Sequence, residues 1–158
     1  MDVEKIIKVK KPLHVETKTI LHLLLVNQRI SEFTAEALKP FDVSIQQFNV
    51  LRILKGQNEK AANLSTLNER MVSKMSNTTR LVDKLILKKY VKRTVCESNR
   101  RKIEIFITRK GKEELKKMSD VVLKTEKKLL QNITTSEMNK LNELLNKLNT
   151  NNLEEQKL

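Results

Sequence analysis

Asn77, Arg80 and Lys84 follow one another at spacings of three and four residues, which places their polar side chains on one side of a helix. An arginine can donate paired hydrogen bonds to O6 and N7 of guanine, and an asparagine can pair similarly with adenine. The opposite side of this helix carries Met75, Thr78, Leu81, Val82 and Leu85. Residues 73–88 are therefore predicted to form an amphipathic helix, capped by Ser73, whose polar side reads the edges of base pairs.

A basic hairpin is predicted directly after this helix. Residues 90–95 and 103–108 are rich in β-branched and aromatic side chains, and the polar, basic stretch 96–102 lies between them. Residues 70–110 contain 13 Lys and Arg against three acids, so they hold most of the net charge of +13. Such a charge favours a polyanionic partner, because each neutralised phosphate releases condensed counterions. A basic helix followed by a basic hairpin fits duplex DNA, the helix in the major groove and the hairpin at the minor groove or backbone.

The rest of the chain is predicted to be helical. Two Gly and two Pro in 158 residues leave few helix breakers, so the expected fold class is mainly α with one small β-hairpin. Ser44 with Gln47 and Thr134 with Glu137 have the spacing of capping boxes, and Asn63 and Thr108 are suitable N-caps. The expected helices are residues 13–39, ended by Pro40, then 44–56, 64–71, 73–88, 108–131 and one from 134 to about 148.

The first and last long helices carry apolar stripes that must be buried against another protein surface. They run from Ile20 to Phe33 and from Met138 to Leu148, more than a small DNA-binding unit can bury alone. A homodimer is therefore expected. The residues expected at its interface are Ile20, Leu24, Met138, Leu141, Leu145 and Leu148.

Several other classes of protein are disfavoured. No apolar stretch approaches the length of a membrane span and no secretion signal is recognisable, so a cytoplasmic protein without membrane contact is expected. Cys96 is the only cysteine, and His14 and His22 are eight residues apart, so neither a disulfide nor a metal site is expected. The sequence contains no phosphate-binding glycine loop and no nucleophile motif, so neither an enzyme nor a cofactor is expected.

The ordered motifs resemble those of the multiple-antibiotic-resistance regulator (MarR) family of bacterial transcription factors. They are SIQQFNVLRIL at 44–54, LNERM at 67–71, SNTTRLVDKL at 76–85, YVKR at 90–93, NRRKIEIFIT at 99–108 and KG at 110–111. The resemblance covers about residues 21–148. It implies a winged helix-turn-helix inside an intertwined homodimer that binds a pseudo-palindromic operator in double-stranded DNA, as a transcriptional regulator and more specifically a repressor.

The resemblance also implies a division of the chain. One MarR-like domain spans 1–158, with dimerisation helices in 1–38 and 112–150, a DNA-binding lobe in 44–111 and a polar tail in 151–158. Residues 73–88 are then the recognition helix and 90–108 the wing, whose Arg101 enters the minor groove. The residues expected to contact DNA are Ser73, Lys74, Ser76, Asn77, Thr79, Arg80, Lys84, Asn99, Arg100, Arg101 and Lys102.

Two positions depart from the family pattern. Asn99 stands where the family usually has an aspartate that orients the wing arginine, so one charge-assisted hydrogen bond is absent. Lys89 stands where the family commonly has glycine, so a lysine is expected to adopt a left-handed conformation at a cost of about 1 kcal/mol.

Several roles stay open at this stage. A small-molecule effector is expected in the crevice between the dimer helices and the DNA lobe, where Phe33, Phe41, Phe48 and Tyr90 either line the site or only pack the core. One alternative function is a DNA-architectural protein of low sequence specificity. A second is a regulator switched by oxidation of Cys96, and RNA binding is disfavoured by the scarcity of aromatic residues.

Overall fold

The computed structural model describes residues 2–9, 11–58, 60–72, 77–96 and 99–148, with the backbone alone at 96 and 99–102. The chain is mainly helical with one antiparallel hairpin, as predicted. The elements are α1 (Val3–Ile7), α2 (Val15–Leu38), α3 (Ile45–Gly56), α4 (Leu64–Arg70), α5 (Thr78–Leu87), β1 (Val91–Cys96), β2 (Asn99–Ile107), α6 (Arg109–Leu129) and α7 (Thr135–Lys147). A 3-10 turn at Lys39–Phe41, with Pro40 near its start, follows α2.

Three of the predicted helix caps in the first part of the chain, at Ser44, Asn63 and Thr108, are present. The Gln47 backbone N–H donates to the Ser44 hydroxyl at 3.2 Å, and the Ser44 N–H donates back to Gln47 Oε1 at 2.9 Å. The Thr66 N–H donates to Asn63 Oδ1 at 2.8 Å, which caps α4. The Gly111 N–H donates to the Thr108 hydroxyl at 2.9 Å at the start of α6. These side chains satisfy backbone donors that a helix start leaves without partners, which fixes where the helices begin.

Two local features differ from the prediction. Helix α1 was not predicted, since a five-residue helix has no repeating apolar pattern; Asp2 caps it and Val3 is buried. Ala62 lies between two predicted helices, where no strand pairing was expected, yet it pairs with Ile105 through N–H to carbonyl bonds of 3.1 and 2.7 Å. This bridge fastens β2 to the chain before α4, and a single non-local pair leaves no pattern in the sequence.

The chain divides into two compact units, Met1–Thr125 and Glu126–Leu158. The first unit contains a continuous apolar core with side chains from α2, α3, α4, α5, both strands and α6. Its fully buried members include Leu38, Leu51, Leu67, Leu85, Ile105, Leu115 and Met118. This core fixes α4 and α5 against α3 and seats the base of the hairpin.

The second unit contains α7, which opens with the predicted capping box. The Glu137 N–H donates to the Thr134 hydroxyl at 3.3 Å, and the Thr134 N–H donates to the Glu137 carboxylate at 2.8 Å. The bonds that Thr134 donates favour the ionised carboxylate, so the pKa of Glu137 is lowered. Among the described residues of α7, none is buried.

Candidate nucleic-acid interface

Helix α5 does not include Asn77, which lay inside the predicted helix 73–88. Its first residue is Thr78, and Asn77, with φ −129° and ψ 32°, is the N-cap residue and not part of the helix. Ser73, the predicted cap, and Lys74 and Ser76, two predicted DNA contacts, lie outside the described residues. Asparagine has a lower helix propensity than most residues, which favours a helix boundary at Asn77.

The predicted division of α5 into two sides is confirmed for the described residues. Thr78, Val82 and Leu85 are buried. The Thr78 hydroxyl donates a hydrogen bond to Asn68 Oδ1 of α4, so the two helices are joined by a polar contact as well as by apolar packing. The exposed side carries Asn77, Thr79, Arg80, Asp83 and Lys84.

Arg80 and Lys84 have different surroundings, although one turn of helix separates them. Arg80 is exposed in the first turn of α5, beside Thr79 and the N-cap Asn77. Lys84 lines a groove formed by α2, the start of α3 and Asp42. Arg80 is therefore placed to contact a surface that approaches the head of α5, whereas Lys84 is turned toward the flank of the lobe.

The C-terminal end of α5 is held by lysines. Lys88 Nζ lies 2.5 Å from Asp42 Oδ2, and this hydrogen bond lowers the pKa of Asp42. Lys110 Nζ donates to the Lys88 carbonyl at 3.2 Å and lies 5.2 Å from the centre of the Tyr90 ring. Lysine charge is favourable at the negative end of a helix. Lys88 and Lys110, which sequence reasoning had not assigned to any contact, therefore stabilise the helix end.

Lys89 adopts the left-handed conformation that the sequence predicted, with φ 62°. The chain then enters the wing, where the Thr108 hydroxyl donates to the Lys89 carbonyl at 2.8 Å. Gly111 is required nearby, because a Cβ atom there would lie 2.1 Å from the Tyr90 carbonyl oxygen. The KG pair at residues 110–111 thus lets α6 pass close to the end of α5.

The strands of the wing reach further toward its tip than predicted. β1 and β2 pair from Val91 and Ile107 outward to Val95 and Ile103, after which the register shifts and Cys96 pairs with Asn99. Residues 100–102, predicted within the tip, lie in this irregular part of β2. A register shift leaves backbone groups without partners in the other strand. The side chains of Asn99, Arg100, Arg101, Lys102 and Cys96 lie outside what the structure describes.

One ion pair between α5 and the wing was missed by sequence reasoning. Arg93 Nη1 of β1 lies 3.3 Å from Asp83 Oδ1 of α5. The ten-residue separation carries no helical or strand periodicity. The available signal was that Asp83 is one of only three acids within the strongly basic segment 70–110.

The four aromatic residues considered for an effector site do not line the groove beside Lys84. It is open, about 880 Å³ in volume, and its lining residues are Gln28, Ser31, Glu32, Ala35, Glu36, Lys39, residues 42–47 and Lys84. Phe48 and Tyr90 are instead buried in the core, Phe41 packs against that core and Phe33 is half exposed. The sequence had left open whether these rings line an effector site or only pack the core. Phe41, Phe48 and Tyr90 pack the core.

Across the described part of the chain, no group of three or more His, Cys, Asp and Glu residues could hold a metal ion. None of the helices described there is both long and apolar enough to cross a membrane.

Known proteins resemble this chain in sequence over part of its length and in fold over most of it. Residues 43–103 match the model of the MarR family. The uncharacterised HTH-type transcriptional regulator YfiV of Bacillus subtilis is 35% identical over 71 residues, which are 45% of this chain. The match spans 43% of that relative, less than half of its length.

The fold is similar to solved structures over most of the chain. A MarR-like transcription regulator from Bacillus cereus superimposes with a TM-score of 0.75 at 23% identity, covering 84% of this chain and 94% of that one. A MarR transcription factor from Planctomyces limnophilus gives 0.67 at 25% identity, covering 86% and 98%.

BpsR of Bordetella bronchiseptica, whose DNA binding is regulated by 6-hydroxynicotinic acid, gives 0.75 at 17% identity, covering 89% and 99%. Both the matched segment and the fold are found in transcription regulators. The helix-turn-helix of α4 and α5 and the hairpin that follows agree with the sequence motifs, and residues 43–103, which contain both helices, are similar to the MarR family.

Proposed function

We propose that this chain is a homodimeric, sequence-specific DNA-binding repressor, with α5 in the major groove and the wing, residues 90–108, at the minor groove. The observation that carries the proposal is the exposure of Asn77, Thr79 and Arg80 at the head of a helix whose other side is buried. Residues near the N-terminus of a recognition helix contact base edges in helix-turn-helix proteins. An exposed guanidinium and amide there can pair with guanine and adenine.

The dimer is supported by apolar side chains that one chain leaves exposed. On α2, Ile20 is 53% and Leu24 58% exposed. On α7, Leu141 and Leu145 are 43% and 38% exposed, and Leu148 follows at 48%. Isolated helices expose such stripes at a cost in hydration free energy, which a second copy of the chain would remove. The proposed organisation retains dimerisation helices in 1–38 and 112–150 and the DNA-binding lobe in 44–111.

Dimerisation would also explain how an operator is selected. Two recognition helices held about one turn of DNA apart, about 34 Å, enter successive major grooves on one face of the duplex. The operator would then be an inverted repeat. Repression follows from occupancy of the promoter, because a dimer that covers it excludes polymerase without needing a further contact surface.

A small-molecule effector would act through the groove between α2 and α3. Its walls belong to a proposed dimerisation helix and to the DNA-binding lobe, so a bound molecule could favour one angle between them. The dimer can bind DNA only when its two lobes have the spacing of successive major grooves. An effector that binds more tightly to a dimer with another spacing would weaken DNA binding, to an extent set by the difference between its affinities for the two forms. Because the walls carry Glu32, Glu36 and Asp42 as well as two lysines, we propose a polar effector over a purely apolar one.

The test is a titration of a selected operator and of a scrambled duplex with matched variants. Arg80→Ala and Asn77→Ala should each weaken binding to the operator by about 1 to 3 kcal/mol and binding to the scrambled duplex much less. Lys124→Ala, which removes one exposed positive charge from α6, is the control for net charge. Equal weakening on both duplexes for Arg80→Ala and Asn77→Ala would contradict base reading by the head of α5 and favour the architectural alternative.

A further inference from the structure

The ion pair between Asp83 and Arg93 bridges the two DNA-binding elements. Asp83 lies on the exposed side of α5, one turn after Arg80. Arg93 lies on β1 two residues after the buried Val91. The side chains of Val91 and Arg93 therefore project from the same face of the strand, the face that packs toward α5. With Asp83 Oδ1 at 3.3 Å from Arg93 Nη1, the pair crosses the gap between recognition helix and wing.

Both side chains remain open to a further partner. The Arg93 side chain is 43% exposed and that of Asp83 is 50% exposed. The bond to Asp83 uses one terminal nitrogen of a guanidinium that carries several N–H donors in a fixed plane. The remaining donors can bind an oxyanion in the forked geometry that arginine offers to phosphate.

The position of the Asp83–Arg93 ion pair indicates which part of the DNA it would contact. When a recognition helix occupies the major groove and a wing the adjacent minor groove, a phosphodiester strand runs between them. A residue that bridges helix and wing therefore faces this strand. An acid there would repel phosphate if it acted alone, so its presence beside Arg93 needs a different explanation.

We propose that Arg93 binds a phosphate of the DNA backbone between the two grooves, and that Asp83 is the positioning residue that orients its guanidinium. The inference rests on the proposed DNA-binding function and adds two residues to it. Asp83 fixes the guanidinium plane in the free protein, so the phosphate meets a donor group that is already ordered.

The test uses Asp83→Asn, Arg93→Ala and the double variant, titrated on operator and scrambled duplexes at several salt concentrations. Arg93→Ala should weaken binding to both duplexes alike and lower the slope of log affinity against log salt by about 0.9 for each phosphate that is no longer neutralised. Asp83→Asn removes a negative charge, so simple electrostatics predicts tighter binding. The positioning role predicts weaker binding in the wild-type background and tighter binding in the Arg93→Ala background.

Two further variants separate positioning from folding. Asp83→Glu should restore part of the affinity that Asp83→Asn removes, since it keeps a carboxylate within reach of Arg93. Arg93→Lys keeps the charge but lacks the planar fork, and should bind between wild type and Arg93→Ala. Unfolding temperatures should change little, because exposed ion pairs contribute little to stability.

Tighter binding of Asp83→Asn in both backgrounds would overturn the positioning role. Unchanged affinity and salt slope for Arg93→Ala would overturn the phosphate contact. Failure of the wild-type protein to bind any duplex would instead reject the proposed function itself, so the two failures are distinguishable.

Discussion

The winged lobe and helix α7 differ in how they use their leucines. In the lobe, Leu51, Leu67 and Leu85 are fully buried within a single chain. In α7, Leu141, Leu144 and Leu145 each remain more than a third exposed. The lobe therefore has its own core, whereas the apolar side chains of α7 stay largely exposed among the residues that the structure describes. Stability and assembly can therefore be perturbed separately.

Removing a leucine from the lobe should give the largest effect. Leu85→Ala leaves a cavity in the core and should lower the free energy of unfolding by about 2 to 5 kcal/mol. Leu87→Ala is the matched control, because Leu87 lies on the same helix and is 83% exposed. Its change should stay within about 0.5 kcal/mol. Chemical denaturation would measure both, and equal destabilisation would contradict a self-contained core.

The two glycines offer a second contrast inside the lobe. Gly111→Ala forces a methyl group against the Tyr90 backbone carbonyl and should cost about 3 kcal/mol. Gly56→Ala, at the end of α3, meets no atom within 4 Å and should be neutral or stabilising by up to about 1 kcal/mol. Thermal unfolding of the two variants should therefore separate them clearly. A tolerated Gly111→Ala would mean that α6 does not need its close approach to Tyr90.

A charged residue on the apolar side of α7 should weaken dimerisation without destabilising the DNA-binding lobe. Leu141→Lys would place an unpaired charge at the proposed interface and should raise the dimer dissociation constant at least about tenfold. Asn139→Lys adds the same charge on the opposite face of α7 and should leave association unchanged. Sedimentation across a concentration series would measure this. Equal behaviour of the two variants would contradict the assigned interface.

The smallest effect is expected at Lys89. Lys89→Gly relieves a left-handed conformation and should stabilise the lobe by about 1 kcal/mol. Lys89→Ala removes the same side chain but keeps the backbone penalty, so it should give no comparable gain. Unfolding midpoints in denaturant would resolve the two, and an equal gain for both would assign the effect to the lysine charge instead.

Local sequence signals predicted much of the fold. Ser44, Asn63, Thr108 and Thr134 set helix starts through contacts three residues away, so the sequence alone contained the information. The left-handed Lys89 was predicted from the family pattern in the same way. Each of these features depends on neighbours along the chain.

Features that join distant parts of the chain were missed. The Ala62 bridge to Ile105 and the Asp83 contact with Arg93 depend on how elements pack, and neither has a periodic signature. The start of α5 was also wrong, because a good local cap at Ser73 does not decide whether the helix continues through Asn77. For the site, the exposed side of α5 was predictable, whereas the turning of Lys84 toward the groove depended on the position of α2 and α3.

Selection of bound sequences from a random DNA pool is the most direct test of sequence-specific DNA binding by a homodimer. It shows both which bases are recognised and whether two half-sites are bound together. A dimer with two base-reading helices should enrich an inverted repeat whose half-site centres lie about 10 base pairs apart, one for each recognition helix. Enrichment of a single, non-repeated site, or of no sequence at all, would contradict it.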